Sequence, residues 1–213
     1  MKVAPSLLAA DFLNLEHSIS LVSNADYLHL DVMDGTLVPN ISFGFSVIEK
    51  LCSISTPALD VHLMVVHPER WFKRLAACGV EMISFHLEAA RCRTARCIDE
   101  IHALGCKAGV AVDPDIPVRR LYPYIGKADF FLLMSVFAGF GGQKFIETTP
   151  ERVRKLKDEI ARRGCSTPIE VDGGVDLENA ALLSEAGVGI LVSGSSVFKS
   201  EDPEAAVEAL RRF

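Results

Sequence analysis

Short apolar runs carrying a polar group at every second position alternate along this chain with longer stretches whose apolar residues recur every three or four positions. The apolar runs at 3–8, 27–33, 58–65, 81–87, 107–112, 130–136, 168–172 and 189–193 read as strands. The stretches at 16–23, 44–53, 69–78, 94–104, 117–125, 150–163, 177–186 and 203–212 read as amphipathic helices. Regular alternation of the two implies right-handed βαβ units and a parallel sheet. Eight such pairs in 213 residues predict an α/β chain folded as one compact (β/α)8 TIM barrel, a little shorter than the usual size of about 250 residues. Thr149-Pro150-Glu151 has the look of a capped helix start, and Gly79, Gly105, Gly164 and Gly187 follow helix ends, where a left-handed residue closes the last turn. No Ser- or Gly-rich linker interrupts the pattern, so residues 1–213 are expected to form a single catalytic domain.

Side chains two apart on a strand share a face. In YLHLDVMDG, His29 therefore lies with Asp31 and Met33; in LDVHLMV, His62 lies with Met64; in IEVDGG, Glu170 lies with Asp172. His29, Asp31, His62 and Asp172 all fall late in their strands, at the end where such barrels carry their active sites. A lone strand histidine is ordinarily a hydrogen-bonded core residue. A buried carboxylate is harder to dismiss, because an unpaired charge out of water costs several kcal/mol. Two imidazoles and two carboxylates on three strand ends could hold one divalent ion such as zinc, with a position open to a substrate oxygen. Glu170 reads as a deeper structural hydrogen-bonding group and Asp34 with Gly35 as a turn. His86 and Glu88, in FHLEA, could line the mouth without a sharper role. The segment SVFAGFGG after the sixth strand suits a substrate-covering loop. Gly173-Gly174 and Gly194-Ser195, after the seventh and eighth strands, sit where phosphate is commonly bound in barrels.

Composition narrows the partners. A formal charge of −6 and 49% hydrophobic residues offer no electrostatic footprint for nucleic acid or an anionic membrane. The opening MKVAPSLLAADFLNLEH meets acidic residues and proline too early for a signal-peptide core, and no run reaches the roughly 18 apolar residues of a membrane span. A cytoplasmic location is expected. Cys52, Cys78, Cys92, Cys97, Cys106 and Cys165 show no CxxC or zinc-finger spacing and read as reduced thiols.

Taken in order, APSLLAADF, HLDVMDGTLVPNISFG, LDVHLM, KAGVAVDP, LMSVFAGFGGQKFI, IEVDGGV and VSGSSVF resemble the ribulose-phosphate 3-epimerase family over nearly the whole chain. The resemblance implies an isomerase that interconverts D-ribulose 5-phosphate and D-xylulose 5-phosphate through an enediolate, with Asp31 and Asp172 as the paired acid and base. It implies one divalent metal per subunit on His29, Asp31, His62 and Asp172, zinc foremost, with iron(II), manganese or cobalt also admitted. Ser6, His62, Gly139, Phe140, Gly141, Gly142, Gly173, Gly174, Gly194 and Ser195 match its substrate-binding positions, and Met33, Met64 and Met134 match methionines packed around the reacting carbons. A ketose phosphate substrate, a homo-oligomer and a place in carbohydrate metabolism, in the pentose phosphate pathway, follow from the same likeness.

The chain departs from the family pattern at Thr36-Leu37 for His-Phe, Phe137-Ala138 for Asn-Pro, Phe45 for Pro and Asp113 for Asn. These bear on the sugar and leave the reaction in place, so a 3-epimerase of another ketose phosphate, such as D-allulose 6-phosphate, is the alternative. A sugar-phosphate decarboxylase would carry D-x-K-x-x-D on the second strand, where this chain has His29-x-Asp31-x-x-Asp34 without lysine. A non-catalytic sugar-phosphate sensor would not need the aspartate pair.

Overall fold

The computed structural model describes residues 1–54 and 56–213. Eight strands run Lys2–Pro5 (β1), Tyr27–Met33 (β2), Ala58–Met64 (β3), Met82–His86 (β4), Lys107–Val112 (β5), Phe130–Met134 (β6), Ile169–Asp172 (β7) and Ile190–Ser193 (β8). All pair in parallel in the order β1-β8-β7-β6-β5-β4-β3-β2. A single bridge between Ser6 and His29 brings β1 against β2 and nearly closes the ring. The result is the expected (β/α)8 barrel.

The α-helices are Leu15–Ser20 (α1), Phe45–Leu51 (α2), Phe72–Ala77 (α3), Leu87–Ala90 (α4), Thr94–Ala103 (α5), Thr149–Arg162 (α6), Leu177–Ala186 (α7), Ser195–Phe198 (α8) and Pro203–Arg211 (α9). Among the described residues, no helix is long and apolar enough to cross a membrane. Strand residues pointing outward, such as Leu28, Leu30, Val61, Leu63, Phe131, Leu133, Val171 and Leu191, join helix residues such as Ile48, Leu75, Ile98, Leu156 and Leu183 in one continuous core. Inward-pointing residues at the base form a second cluster, in which Phe130 fills the barrel axis. A Cβ on Gly109 would lie only 2.2 Å from the Phe130 ring, so glycine on β5 makes room for that plug.

Several elements differ from expectation. The predicted helix at 117–125 is a 3-10 run over Val118–Tyr124. Pro123 inside it lacks an N–H and bars a regular α-helical ladder. β1 stops at Pro5 instead of residue 8, because Leu7–Ala9 turns into a 3-10 segment that buries Leu7. Two short helices, α4 and α8, lie outside the stretches read as helices. At the start of α6, Thr148 is the cap residue and makes no side-chain cap bond, while Thr149 is already helical. The positive φ at Gly79, Gly105, Gly164 and Gly187 agrees with their reading as helix terminators.

Candidate active site

At the C-terminal end of the barrel, the strand register sets Asp31 on β2 beside His62 on β3. β7 carries Asp172 to the same level, opposite Met134 on β6. Four ligand atoms, one each from His29, Asp31, His62 and Asp172, lie within 4.8 Å of one another. His29 Nε2 is 3.5 Å from Asp31 Oδ1 and 4.0 Å from Asp172 Oδ2. His62 Nδ1 is 3.3 Å from Asp31 Oδ1 and 3.9 Å from Asp172 Oδ2. Two nitrogens and two oxygens therefore converge on one point, a donor set suited to a divalent ion.

Neighbours orient the ligand atoms. Asp60 Oδ2 lies 2.6 Å from His29 Nδ1. A carboxylate only accepts, so Nδ1 carries a proton and Nε2 is the nitrogen turned toward the cluster. That Nε2 is buried without a hydrogen-bond partner, as an atom reserved for a ligand would be. Ser6 Oγ donates to Asp31 Oδ2 at 2.6 Å, which leaves Asp31 Oδ1 for the cluster. These residues fit a bound divalent ion.

Electrostatics separate the two aspartates. Burial would raise Asp31, but the facing His29 and His62 outweigh it and hold the carboxyl well below its usual range. Burial and the charge of Asp31 instead push Asp172 up to about 7. His62 is pushed down to about 4, first by burial. For His29 the desolvation penalty is exceeded by the charges of Asp60 and Asp31, and its affinity for a proton is well above the ordinary. Two carboxyl groups across one site thus favour opposite protonation states.

The cleft above the cluster is lined by Ser6, Met33, Met64 and Met134, by Gly139 to Gly142 of the loop after β6, and by Gly173, Gly174, Gly194 and Ser195 after β7 and β8. Of the predicted substrate positions, all but the buried His62 line this cleft. Gly173 has φ +120°, and a Cβ there would meet Val136 Cγ2 at 2.4 Å and its backbone N at 2.9 Å, so this turn admits only glycine. The covering loop is tied down: Gln143 Nε2 donates to the carbonyls of Phe137 and Phe140, and Asn40 Nδ2 to that of Gly139. Phe137 and Phe140 are about half exposed on that loop.

Other sequence expectations resolve as follows. Asp34 makes a turn, accepting from Thr36 N and Thr36 Oγ1, and Thr36 Oγ1 also accepts from Val66 N, joining the loops after β2 and β3. Phe45 packs on Trp71 under the Arg74 guanidinium, outside the cleft. Asp113 accepts from Ala138 N–H of the covering loop at 3.2 Å. Glu170, expected to be a hydrogen-bonding group, has neither oxygen paired; burial and the charge of Asp60 push it well above the carboxylate range and favour the neutral acid. Asp60 was not singled out in the sequence, although it lies two residues from His62 in LDVHL, the same spacing that marked the others.

Comparison with known proteins agrees with this geometry. The model of the ribulose-phosphate 3 epimerase family matches residues 2–198. A ribulose-phosphate 3-epimerase of Helicobacter pylori is 43% identical over 211 residues, covering 99% of this chain and 97% of the relative. One from Mycobacterium tuberculosis is 40% identical over 210 residues, covering 99% and 91%. Among solved structures, 3-hexulose-6-phosphate synthase from Salmonella typhimurium superposes with a TM-score of 0.74 over 100% of this chain and 97% of that one, at 15% identity, a likeness of fold alone.

Proposed function

Since the chain belongs to the ribulose-phosphate 3-epimerase family, we infer that it interconverts D-ribulose 5-phosphate and D-xylulose 5-phosphate by moving the C3 proton between two carboxyl groups. One observation carries the reading at residue level: Asp31 and Asp172 converge from separate strands beneath the cleft, with burial and charge pushing their protonation states apart.

A C–H beside a ketone is a weak acid, and its removal needs a base in reach and relief for the charge that appears on oxygen. A divalent ion held by His29, Asp31, His62 and Asp172 would supply that relief as a Lewis acid. Asp31, kept ionised by the imidazoles and Ser6, takes the C3 proton from one face. Asp172, with its raised affinity for a proton, delivers one to the other face, and the configuration inverts. The reverse direction exchanges the two roles. Met33, Met64 and Met134 surround the reacting carbons and exclude water, Ser6 holds Asp31, and Gly139, Phe140, Gly141 and Gly142 close over the sugar. The backbone around Gly173, Gly174, Gly194 and Ser195 receives the phosphate, at the barrel position suited to it. Zinc suits the two-imidazole, two-carboxylate set, and iron(II), manganese and cobalt share its preference for nitrogen and oxygen. A cytoplasmic, homo-oligomeric enzyme built from one domain per chain completes the proposal.

The test is C3 proton exchange in D2O. Deuterium should enter D-ribulose 5-phosphate, cease on removal of metal by a chelator, and return on adding Zn2+ or Co2+. No exchange in the metal-loaded protein would refute the reading, and faster exchange with D-allulose 6-phosphate would reassign the sugar.

A further inference from the structure

The covering loop after β6 begins with a turn centred on Ala138 and Gly139, the latter at φ +116°. Two ties hold that turn. Asn40 Nδ2 donates to the Gly139 carbonyl at 2.7 Å, and a Cβ on Gly139 would meet Val38 Cβ at 3.0 Å, so the loop lies close against the segment after β2. The second tie comes from the end of β5, where Asp113 Oδ1 accepts from the Ala138 N–H at 3.2 Å. Ala138 also packs against both apolar clusters that carry the cleft methionines, Met33 with Met64 and Met134 with Val136. Where Ala138 sits thus decides how the loop meets those methionines.

Asp113 is a fixed acceptor. Its backbone N–H donates to Glu88 Oε1 at 3.0 Å, and its carbonyl accepts from Arg152 Nη2 at 2.8 Å and from the Ile116 N–H at 3.1 Å. A side chain on backbone held at both ends can anchor the loop with little ordering of its own. The bond also joins two of the departures from the family pattern, Asp113 for Asn and Ala138 for Pro. A turn with positive φ at its third residue accepts proline at its second. Proline has no N–H, however, and would place a carbon where that hydrogen lies, about 1.5 Å from the nitrogen and aimed at the carboxylate. Two ways of fixing this turn therefore exclude one another: a hydrogen bond to Asp113, or a ring that sets φ.

We propose that Asp113 is a positioning residue that, through the Ala138 N–H, keeps the covering loop ordered over the cleft before substrate arrives. The proposal rests on the epimerase reading for its substrate, while the order of the loop is measurable without one. A loop already in place receives the sugar phosphate without a further ordering cost, so the bond lowers KM. Proton transfer by Asp31 and Asp172 is left as it was.

Asp113→Ala removes the acceptor, Asp113→Asn keeps it as an amide oxygen, and Ala138→Pro removes the donor. In hydrogen–deuterium exchange of the substrate-free protein, the amides of residues 137–142 should exchange about five-fold faster or more in Asp113→Ala and within two-fold of the wild-type rate in Asp113→Asn. With D-ribulose 5-phosphate, KM should rise about five-fold or more in Asp113→Ala while kcat stays within two-fold of wild type, and Asp113→Asn should restore KM. Ala138→Pro should raise KM at least as much by itself, where the ring meets the carboxylate, and less when combined with Asp113→Ala, which clears the space. Unchanged loop exchange in Asp113→Ala overturns the proposal. So does an unchanged KM beside a lowered Tm, the mark of a structural role alone, or an Ala138→Pro effect of equal size in both backgrounds. If Ala138→Pro fails to fold, the two Asp113 variants decide by themselves. A wild-type protein that does not turn over D-ribulose 5-phosphate refutes the epimerase reading instead, and loop exchange still decides this one.

Discussion

Ser6 lines the cleft and also bonds Asp31, and Ser6→Ala separates the two roles. The substitution removes one oxygen. Ser6 has φ −80° and ψ 118°, ordinary extended backbone that alanine adopts without strain. What is lost is a 2.6 Å O–H···O bond to an ionised carboxylate whose side chain is only 5% exposed. Hydrogen bonds to charged groups contribute about 1.5–3 kcal/mol, and the short distance and burial place this one toward the upper part of that range. If the bond serves to hold Asp31 as a base through the transition state, the loss converts to about a 10- to 150-fold fall in kcat. Were Ser6 mainly a substrate contact, KM would rise while kcat held. Turnover of D-ribulose 5-phosphate with metal content measured on the same sample separates these outcomes. A fully metal-loaded Ser6→Ala enzyme with kcat within two-fold of wild type would refute the role assigned to this bond.

Asp172→Asn replaces the proton-holding carboxyl with an amide of the same shape; epimerisation should fall by about 10³-fold or more while circular dichroism stays unchanged, and near-normal turnover in the folded variant would remove Asp172 from the proton path. Gly173→Ala forces a Cβ against Val136 at φ +120°, and about 2–4 kcal/mol of destabilisation is expected, read as a fall in Tm of about 5–15 °C. An unchanged melting curve would contradict the steric account of that turn.

The covering loop shows how the departures in sequence are absorbed. Ala138 and Phe137 stand in the loop after β6, and Asp113 holds it through the Ala138 N–H. Arg152 on α6 supports the same region from behind, donating to the carbonyls of Met134 and Asp113 at 2.8 Å each. Phe45, by contrast, stacks on the outside of the barrel and has no part in the cleft.

Period-two patterning alone determined the strands, their alternation with helices, and the grouping of His29 with Asp31 and of Glu170 with Asp172, because a strand's geometry fixes which side chains share a face. The late position of Asp31, His62 and Asp172 in their strands was equally legible, since all parallel strands of a barrel end on one rim, whereas His29 falls in the first half of β2. Partners across strands were not. Ser6 with Asp31, Asp60 with His29 and His86 with His62 lie 24 to 31 residues apart in sequence and meet only through strand register and closure of β1 against β2. Protonation was likewise beyond the sequence: Asp31 and Asp172 are the same residue type, and only burial and the charges facing each one drive their proton affinities in opposite directions.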